Sequence, residues 1–305
     1  MSDKNTHFHQ FTDAGQQNAA VIQSKNTLNI NGKLMDLSVP KVMGILNLTP
    51  DSFYQPEGRN GQPDSSQILK EAEQMLKEGA SFLDLGAYSS RPNAEHINET
   101  TESERLLPAL KALVKEFPEA IISVDTFRSG IARRAVEHGA QLINDISAGE
   151  LDQNMFETVA SLKVPYILMH MKGTPQTMQQ NPHYESLISE ILQYFIQKIK
   201  KLNDLGAYEL IIDPGFGFGK NLEHNYELLN KLDSLNILQL PVLAGFSRKS
   251  MIYKLLDSSP AEALNGTTVC NTIALLKGAK ILRVHDVKPA MEAISLVATM
   301  QRGKN

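Results

Sequence analysis

The chain lacks several features that would assign it to a specialised structural class. Among its 305 residues there is one cysteine, Cys270, and no tryptophan. A single cysteine excludes a disulfide framework and any Cys-x-x-Cys zinc or redox site. No apolar run approaches the ~20 residues that a membrane helix needs, and the first thirty residues carry no signal-peptide pattern. We therefore expect a cytoplasmic protein without a membrane partner.

An excess of basic charge is also missing. Lys and Arg number 30 and Asp and Glu number 34, which leaves a net charge of −4. This balance argues against nucleic acid as a partner, because proteins that bind it present a basic face. Hydrophobic residues at 42% and charged residues at 21% lie close to globular averages. Disordered and collagen-like architectures are therefore excluded.

The N-terminal part of the chain divides into two short segments. Residues 1–26 are polar and show little apolar periodicity, which predicts a disordered, mobile tail. Residues 27–40 predict a β-hairpin, because apolar residues at Leu28, Ile30 and Leu34 flank an Asn31-Gly32 pair. Asn-Gly readily adopts the positive φ angles of a tight turn.

Residues 41–305 alternate between predicted strands and helices, as expected for a parallel sheet whose neighbouring strands need crossovers. Helical spacing predicts helices at Ile68–Lys77, Leu106–Lys115, Leu187–Leu202 and Tyr226–Leu235. The predicted strands are Val42–Leu48, Phe82–Leu85, Ile121–Val124, Leu142–Ile146, Tyr166–Met169, Leu210–Ile212, Val242–Ala244 and Ile281–Val284.

Glycine and proline mark these strands in strict alternation. Gly-Ala precedes the even strands, at Gly79, Gly139, Gly206 and Gly278, and proline precedes the odd ones, at Pro40, Pro118, Pro165 and Pro241. Glycine suits a left-handed helix C-cap, and proline blocks helix continuation. A fourfold odd/even alternation predicts a single α/β domain, a (βα)8 TIM barrel. A doubly wound open sheet would not explain it.

Polar side chains occupy the C-terminal ends of the predicted strands, where such barrels place their active sites. Asp125, Asn144, Asp213 and Lys249 suit a flat heterocycle with amino, ring N–H and carbonyl groups. A second, cationic set indicates a phosphate-type anion; it comprises Arg91, Arg248, Arg283 and His285.

Three of these strand-end residues have an equally plausible structural interpretation. For Asp84 and Asp145, capping or internal hydrogen bonding is at least as plausible as substrate contact. Arg248 is open between anion binding and a solvated surface charge. The run Gly215–Lys220 resembles a dinucleotide fingerprint and a P-loop, but its glycine spacing meets neither motif.

The strand ends with their flanks resemble the dihydropteroate synthase family. The matching blocks follow in the family's order over the whole barrel: VMGILNLTPDSF (42–53), LDLGAYSSRP (83–92), ISVDTFR (122–128), INDISAG (143–149), MHMKGTP (169–175), IIDPGFGFGK (211–220), GFSRKS (245–250) and ILRVHDV (281–287).

The resemblance implies a transferase of folate biosynthesis. It would join hydroxymethyl-dihydropterin pyrophosphate to p-aminobenzoate, form dihydropteroate and pyrophosphate, and be a target of sulfonamides. Magnesium is the implied cofactor, with Asn47 helping to hold it beside the pyrophosphate, and a homodimer is the implied assembly.

The resemblance also implies a role for each matched residue. Lys249, Asp125, Arg283 and Arg91 would be catalytic, and Arg283 and His285 would contact the pyrophosphate with Asn47. The pterin would be bound by Asp125, Asn144, Met169, Asp213, Phe218, Lys249 and Arg283. Two mobile loops and the p-aminobenzoate pocket would contain Phe53, Ser90, Arg91, Pro92 and Ser250.

The first loop departs from the family pattern. Gln55 stands where the family usually carries an aspartate, which removes a negative charge near the cationic intermediate, although Glu57 could substitute. One alternative is therefore a diverged pterin-binding paralogue with little or no synthase turnover. A folate-dependent methyltransferase barrel is disfavoured, because its methyl donor has no pyrophosphate for the cationic set to bind.

Overall fold

The computed structural model describes residues 25–48, 65–89 and 96–302. Most of the predicted N-terminal tail lies outside these residues. The same holds for several predicted loop positions, namely Phe53, Gln55, Glu57, Ser90, Arg91 and Pro92.

The described chain opens with the predicted hairpin. Strands β1 (Thr27–Ile30) and β2 (Lys33–Asp36) pair antiparallel. Asn31 and Gly32 form the turn with φ angles of 51° and 80°. The Asn29 side chain supports this turn by accepting a 2.9 Å hydrogen bond from the Gly32 amide.

Eight parallel strands follow, and they form the predicted barrel. Consecutive strands from β3 to β8 pair in parallel, β10 pairs with both β3 and β9, and a bridge between Ile212 and Val242 closes the ring. The strands are β3 (Lys41–Asn47), β4 (Phe82–Gly86), β5 (Ile121–Asp125), β6 (Leu142–Asp145), β7 (Tyr166–Met169), β8 (Leu210–Asp213), β9 (Leu243–Ala244) and β10 (Ile281–Val284).

Helices surround the barrel. They are α1 (Ser65–Lys77), α2 (Glu99–Glu116), α3 (Ser129–Glu137), α4 (Met155–Leu162), α5 (Leu187–Asp204), α6 (Leu222–Asn230), a 3₁₀ helix (Leu232–Leu238), α7 (Ser250–Tyr253), α8 (Leu264–Leu276) and α9 (Val287–Arg302). Within the described residues, no helix combines the length and apolar character that a membrane crossing requires.

The helix predicted at Tyr226–Leu235 has the wrong bounds. Helix α6 begins four residues earlier because Asn221 caps it in a reciprocal capping box with His224, and it ends at Asn230. The remaining apolar residues continue as the separate 3₁₀ helix, which ends at the left-handed Gln239.

The Gly-Ala pairs have the predicted structural role. Gly79, Gly139, Gly206 and Gly278 all have positive φ angles, between 87° and 105°. After α1, the Ala80 amide donates to the Met75 carbonyl at 2.9 Å and the Gly79 amide to that of Leu76 at 3.1 Å. This is the double hydrogen bond of a Schellman cap, which ends the helix and turns the chain into the next strand.

The hairpin closes the N-terminal end of the barrel. Leu28, Ile30 and Leu37 pack against the first inward-facing residues of the strands, including the fully buried Phe82. Burying such a side chain contributes about 1.5–3 kcal/mol. A larger apolar layer lies between the barrel and its helices. Because the N-terminal end is filled, a ligand site is expected at the opposite, C-terminal end.

Candidate active site at the C-terminal end of the barrel

The polar strand-end residues converge because of the two-residue repeat of a β-strand. Leu142, Ile167, Ile211 and Ile281 fill the closed end of the barrel. Two residues further on, the same inner face carries Asn144, Met169, Asp213 and Arg283. One strand therefore supplies both an apolar core residue and a polar residue nearer its C-terminal end.

Asp84 lies at the centre of this polar layer and is fully buried. Its Oδ1 accepts from the Ser123 hydroxyl at 2.5 Å, and its Oδ2 accepts from Asn144 Nδ2 at 2.9 Å and Arg283 Nε at 2.6 Å. These bonds support the internal hydrogen-bonding interpretation of Asp84. The carboxylate positions two residues predicted to contact the ligand, Asn144 and Arg283.

Arg283 is held between two carboxylates. Its Nε bonds Asp84, and its Nη2 donates to Asp125 Oδ2 at 2.7 Å. Burial works to lower the pKa of Arg283, but the two carboxylates raise it above its ordinary value. Burial also raises the pKa of Asp125 to about 7, against the pull of Arg283. The guanidinium therefore remains a fixed cation.

Three acceptor oxygens near this layer are open to a ligand. Asp125 Oδ1, Asn144 Oδ1 and Asp213 Oδ2 accept no hydrogen bond from the described residues. None of the three is among the side-chain atoms that are both buried and without a hydrogen-bond partner in the described residues. Polar groups of this kind are satisfied by water or by a ligand with N–H donors.

Lys249 supplies a cation near these acceptors. Its Nζ donates to the Phe216 carbonyl at 2.6 Å and lies 4.7 Å from the centre of the Phe218 ring. Burial lowers the pKa of Lys249 to about 8, although Asp213 opposes the shift. Burial likewise raises the pKa of Asp213, and Lys249 opposes that shift. Each charge therefore stabilises the other.

The predicted cationic set is only partly available for an anion. Arg248 donates from Nε and Nη2 to Asp286 at 3.0 and 2.8 Å, and from Nη1 to the carbonyls of Pro260 and Ala261. Its donors are thus used within the protein, and neither an anion site nor a solvated surface charge describes it. His285 is partly exposed, and its Nδ1 lies 2.9 Å from the Ser247 hydroxyl.

Asp145 has the internal role that the sequence left open. It accepts from the amides of Ser147 and Gly149 and from the Tyr166 hydroxyl, all within 2.8 Å. Its carboxylate therefore fixes the β6–α4 turn.

The remaining predicted residues that the structure describes occupy the same end of the barrel. Asn47 is the last residue of β3, and Ser250 is the first residue of α7. Met169 and Phe218 belong to a small apolar cluster with Phe127, Ile146, Met171 and Met178. An apolar surface beside open polar acceptors suits an aromatic ring system.

Sequence reasoning missed Lys220. This residue is almost fully buried, and its Nζ lies 3.0 Å from His170 Nδ1, from the Gly215 carbonyl and from the Phe218 carbonyl. Burial lowers the pKa of Lys220 to about 7, and Asp213 opposes the shift. The available signal is a lysine directly after three alternating glycines, although this run fits no nucleotide-binding motif.

A magnesium site at Asn47 would contain few protein ligands. No cluster of three or more His, Cys, Asp or Glu side chains suited to a metal occurs within the described residues. Asn47, the last residue of β3, offers an amide oxygen at this end of the barrel. Mg²⁺ often takes one or two protein oxygens, with water and substrate phosphates as its other ligands. The residues present therefore fit a metal that arrives with a phosphorylated substrate.

The sequence profile of the pterin binding enzyme family matches residues 43–285. The chain belongs to this family. The match spans the barrel from β3 to the end of β10, including every strand-end residue described above.

Dihydropteroate synthases are among its relatives. The chain is 43% identical to the dihydropteroate synthase of Escherichia coli strain K12, over 90% of this chain and 96% of that enzyme. It is 42% identical to the dihydropteroate synthase of Haemophilus influenzae, over 88% of this chain and 97% of that enzyme. The Yersinia pestis enzyme in a sulfonamide drug complex has a TM-score of 0.84 at 40% identity, covering 90% of this chain and 99% of that one. The Xanthomonas albilineans enzyme with 4-aminobenzoic acid has a TM-score of 0.83 at 35% identity, covering 91% and 99%.

Proposed function

We propose that the chain catalyses dihydropteroate synthesis from hydroxymethyl-dihydropterin pyrophosphate and p-aminobenzoate. The observation that carries this proposal is the polar layer at the C-terminal end of the barrel, where open acceptors lie near a partly buried lysine, Lys249, and a fixed arginine, Arg283. Relatives above 40% identity that span nearly the whole barrel carry the same activity in their names.

The pterin ring is recognised by complementary hydrogen bonds. Asp213 Oδ2, Asn144 Oδ1 and Asp125 Oδ1 accept from the amino and N–H groups of the pterin, and the Lys249 ammonium donates to its ring acceptors. Met169 and Phe218 line the faces of the ring. Because the acceptors and Lys249 are held by other groups before binding, little side-chain freedom is lost on binding.

The pyrophosphate lies beside the cationic groups at the same end of the barrel. Arg283 and His285 are assigned to its oxygens, and Asn47 is the protein ligand assigned to a magnesium ion that accompanies it. Magnesium, when bound, neutralises charge that develops on the leaving group. Arg283 contributes in the same direction because its guanidinium stays protonated between its carboxylates.

The reaction then needs no protein nucleophile. The bond between the pterin methylene carbon and the pyrophosphate oxygen breaks, and both bonding electrons leave with pyrophosphate. Asp125 and Asp213 stabilise the positive charge left on the pterin methylene group. The p-aminobenzoate nitrogen forms the new C–N bond and loses a proton to solvent. The p-aminobenzoate pocket is assigned to Phe53, Ser90, Arg91, Pro92 and Ser250. Arg91 also helps to hold the reacting groups together.

A homodimer is the proposed assembly. Helix α8 exposes an apolar stripe of Val269, Ile273 and Leu276, with Val269 51% exposed. Exposed apolar patches commonly mark protein–protein interfaces.

We also propose a cytoplasmic location, with which the single, buried Cys270 is compatible because it needs no oxidising compartment.

A purified-protein turnover assay tests the proposal. The expected result is dihydropteroate and pyrophosphate in equal amounts, only when both substrates are present.

Gln55 favours a second candidate, a pterin-binding paralogue without turnover, because the first loop lacks the usual aspartate. Tight pterin binding without product would favour that second candidate and contradict the first.

A further inference from the structure

The run Gly215–Lys220 matches no nucleotide-binding motif, yet it forms an ordered turn against the proposed pterin site. Residues 215–219 are here called the glycine turn. All five of their carbonyls accept a hydrogen bond from a side chain: Gly215 and Phe218 from Lys220, Phe216 from Lys249, Gly217 from Gln179, and Gly219 from Tyr184. Side chains from outside the turn therefore bond every one of its carbonyls, in addition to the hydrogen bond from the Phe218 amide to the Gly215 carbonyl at 3.0 Å.

Glycines allow this turn to lie directly against the neighbouring β7–α5 segment. A Cβ at Gly215 would run into the His170 carbonyl oxygen, and one at Gly219 would lie 2.6 Å from the Lys172 carbonyl oxygen. Both glycines have positive φ angles, 71° and 61°. Lys220 follows the turn directly, and its ammonium reaches back to the carbonyls of Gly215 and Phe218.

Lys220 is the only cation that bonds two carbonyls of the glycine turn within the described residues. Its third partner is His170 Nδ1. An ammonium has three N–H donors and no acceptor, so His170 must accept at Nδ1 and carry its own proton on Nε2. These three acceptors lie at 3.0 Å, and the His170 carbonyl is a fourth, more distant one at 3.5 Å. Burying an ammonium is costly, and within the described residues Asp213 supports this charge only through space, without a hydrogen bond. The cost argues for a role beyond packing.

The other face of the glycine turn holds Lys249. The Phe216 carbonyl accepts from its ammonium, the Phe218 ring lies under that ammonium, and a Cβ at Gly217 would lie 3.4 Å from its Cδ. Lys220 bonds the carbonyls of two residues next to these contacts. Gly215 directly precedes Phe216, and Phe218 itself carries the ring that contacts Lys249. Any movement of the turn would therefore move the groups that hold Lys249.

We propose that Lys220 is a positioning residue for Lys249: its buried ammonium bonds the Gly215 and Phe218 carbonyls of the glycine turn, and the turn holds the Lys249 ammonium at the pterin site. The inference rests on the proposed function, because Lys249 is placed there as the cation that contacts the pterin. Lys220 itself does not touch the substrate.

A double-mutant cycle on pterin binding tests this coupling, with 6-hydroxymethylpterin as the titrant in calorimetry. Lys220→Met removes the three donors and keeps a side chain of similar length. We expect it to weaken pterin binding about tenfold in the wild-type background and less than about twofold in a Lys249→Met background, because one residue acts through the other. The p-aminobenzoate KM of Lys220→Met should stay within about twofold of wild type. Lys280→Met, at the opposite end of the barrel, is the matched control and should leave pterin affinity unchanged.

A second pair of variants keeps the proposal testable if Lys220→Met fails to fold. In His170→Asn the amide oxygen takes the place of Nδ1 and should retain pterin affinity, whereas His170→Leu removes the acceptor and should weaken binding several-fold. Equal losses in the two Lys220→Met backgrounds, or equal affinities for the two His170 variants, would overturn the inference alone. Wild-type protein that neither binds the pterin nor turns over would refute the proposed function and this inference with it.

Discussion

Replacing Asp84 by asparagine would remove a charge from the centre of the site with little change in shape. The amide oxygen can take the Oδ2 position and accept from Asn144 and Arg283, as the carboxylate does at 2.9 and 2.6 Å. The amide nitrogen then takes the Oδ1 position and donates to the Ser123 hydroxyl, which can also accept. The substitution therefore keeps the three contacts and removes only the negative charge.

The expected loss follows from those three contacts. Hydrogen bonds to a charged group contribute about 1.5–3 kcal/mol, against about 0.5–1.5 kcal/mol for neutral pairs. Removing one partner of a buried ion pair costs about 3–5 kcal/mol, but Arg283 keeps its 2.7 Å contact with Asp125. We expect the free energy of unfolding to fall by about 2–4 kcal/mol.

Urea unfolding at pH 7 measures this loss. Ser123→Ala is the matched control, because it removes one contact to Asp84 and leaves the charge. We expect it to cost about 1.5 kcal/mol, the lower end of the range for a hydrogen bond to a charged group. Pterin affinity should fall in Asp84→Asn as well, since Arg283 and Asn144 lose their charged anchor. If Asp84→Asn unfolds at the same urea concentration as wild type, Asp125 alone neutralises Arg283 and the central role of Asp84 is wrong.

Three further predictions concern the ligand and the first loop. Asp213→Asn should weaken pterin binding tens-fold, about 1.5–3 kcal/mol, because a charged acceptor becomes neutral, and unchanged affinity by calorimetry would remove Asp213 from the site. The kcat/KM for the pterin substrate should fall as pH rises through about 8, where Lys249 loses its proton. Because burial lowers the pKa of Lys249 in the folded protein, the unfolded chain binds more protons than the folded one above about pH 8. The contribution of Lys249 to the free energy of unfolding therefore rises with pH there, while kcat/KM falls. Lys249→Met should abolish both trends, and a decline in kcat/KM that persists in this variant would assign it to another group. In the first loop, Gln55→Asp should raise kcat with pterin affinity nearly unchanged, because the added charge acts after pyrophosphate begins to leave. If Glu57 already supplies the loop carboxylate, Glu57→Gln should instead lower kcat. An unchanged kcat in both variants would refute the loop-carboxylate hypothesis.

The strand pattern was readable from the sequence because each strand is short and bounded by strong signals. Tyr166–Met169 and Ile281–Val284 have the bounds predicted for them. The Gly-Ala pairs marked helix ends correctly, since a positive φ angle is a local requirement. The start of α2 was missed by seven residues, because Asn98 caps it through the Thr101 amide and polar residues fill its first turns.

The connections within the site were not readable in the same way. Asp84 and Arg283 lie 199 residues apart, so only barrel closure brings them into contact. Arg248 looked like a free cation because its partner Asp286 belongs to another loop. The roles of individual residues toward the pterin and p-aminobenzoate remain predictions. The sequence indicated which side chains share one end of the barrel, but not which of them bind each other.

The most direct measurement of the central claim is the product stoichiometry of the purified protein. Hydroxymethyl-dihydropterin pyrophosphate and p-aminobenzoate are mixed with saturating magnesium, and dihydropteroate and pyrophosphate are followed together over time. The account predicts equal initial rates for the two products, no product when either substrate is omitted, and a strongly reduced rate for Lys249→Met. Pterin binding with neither product formed would contradict it.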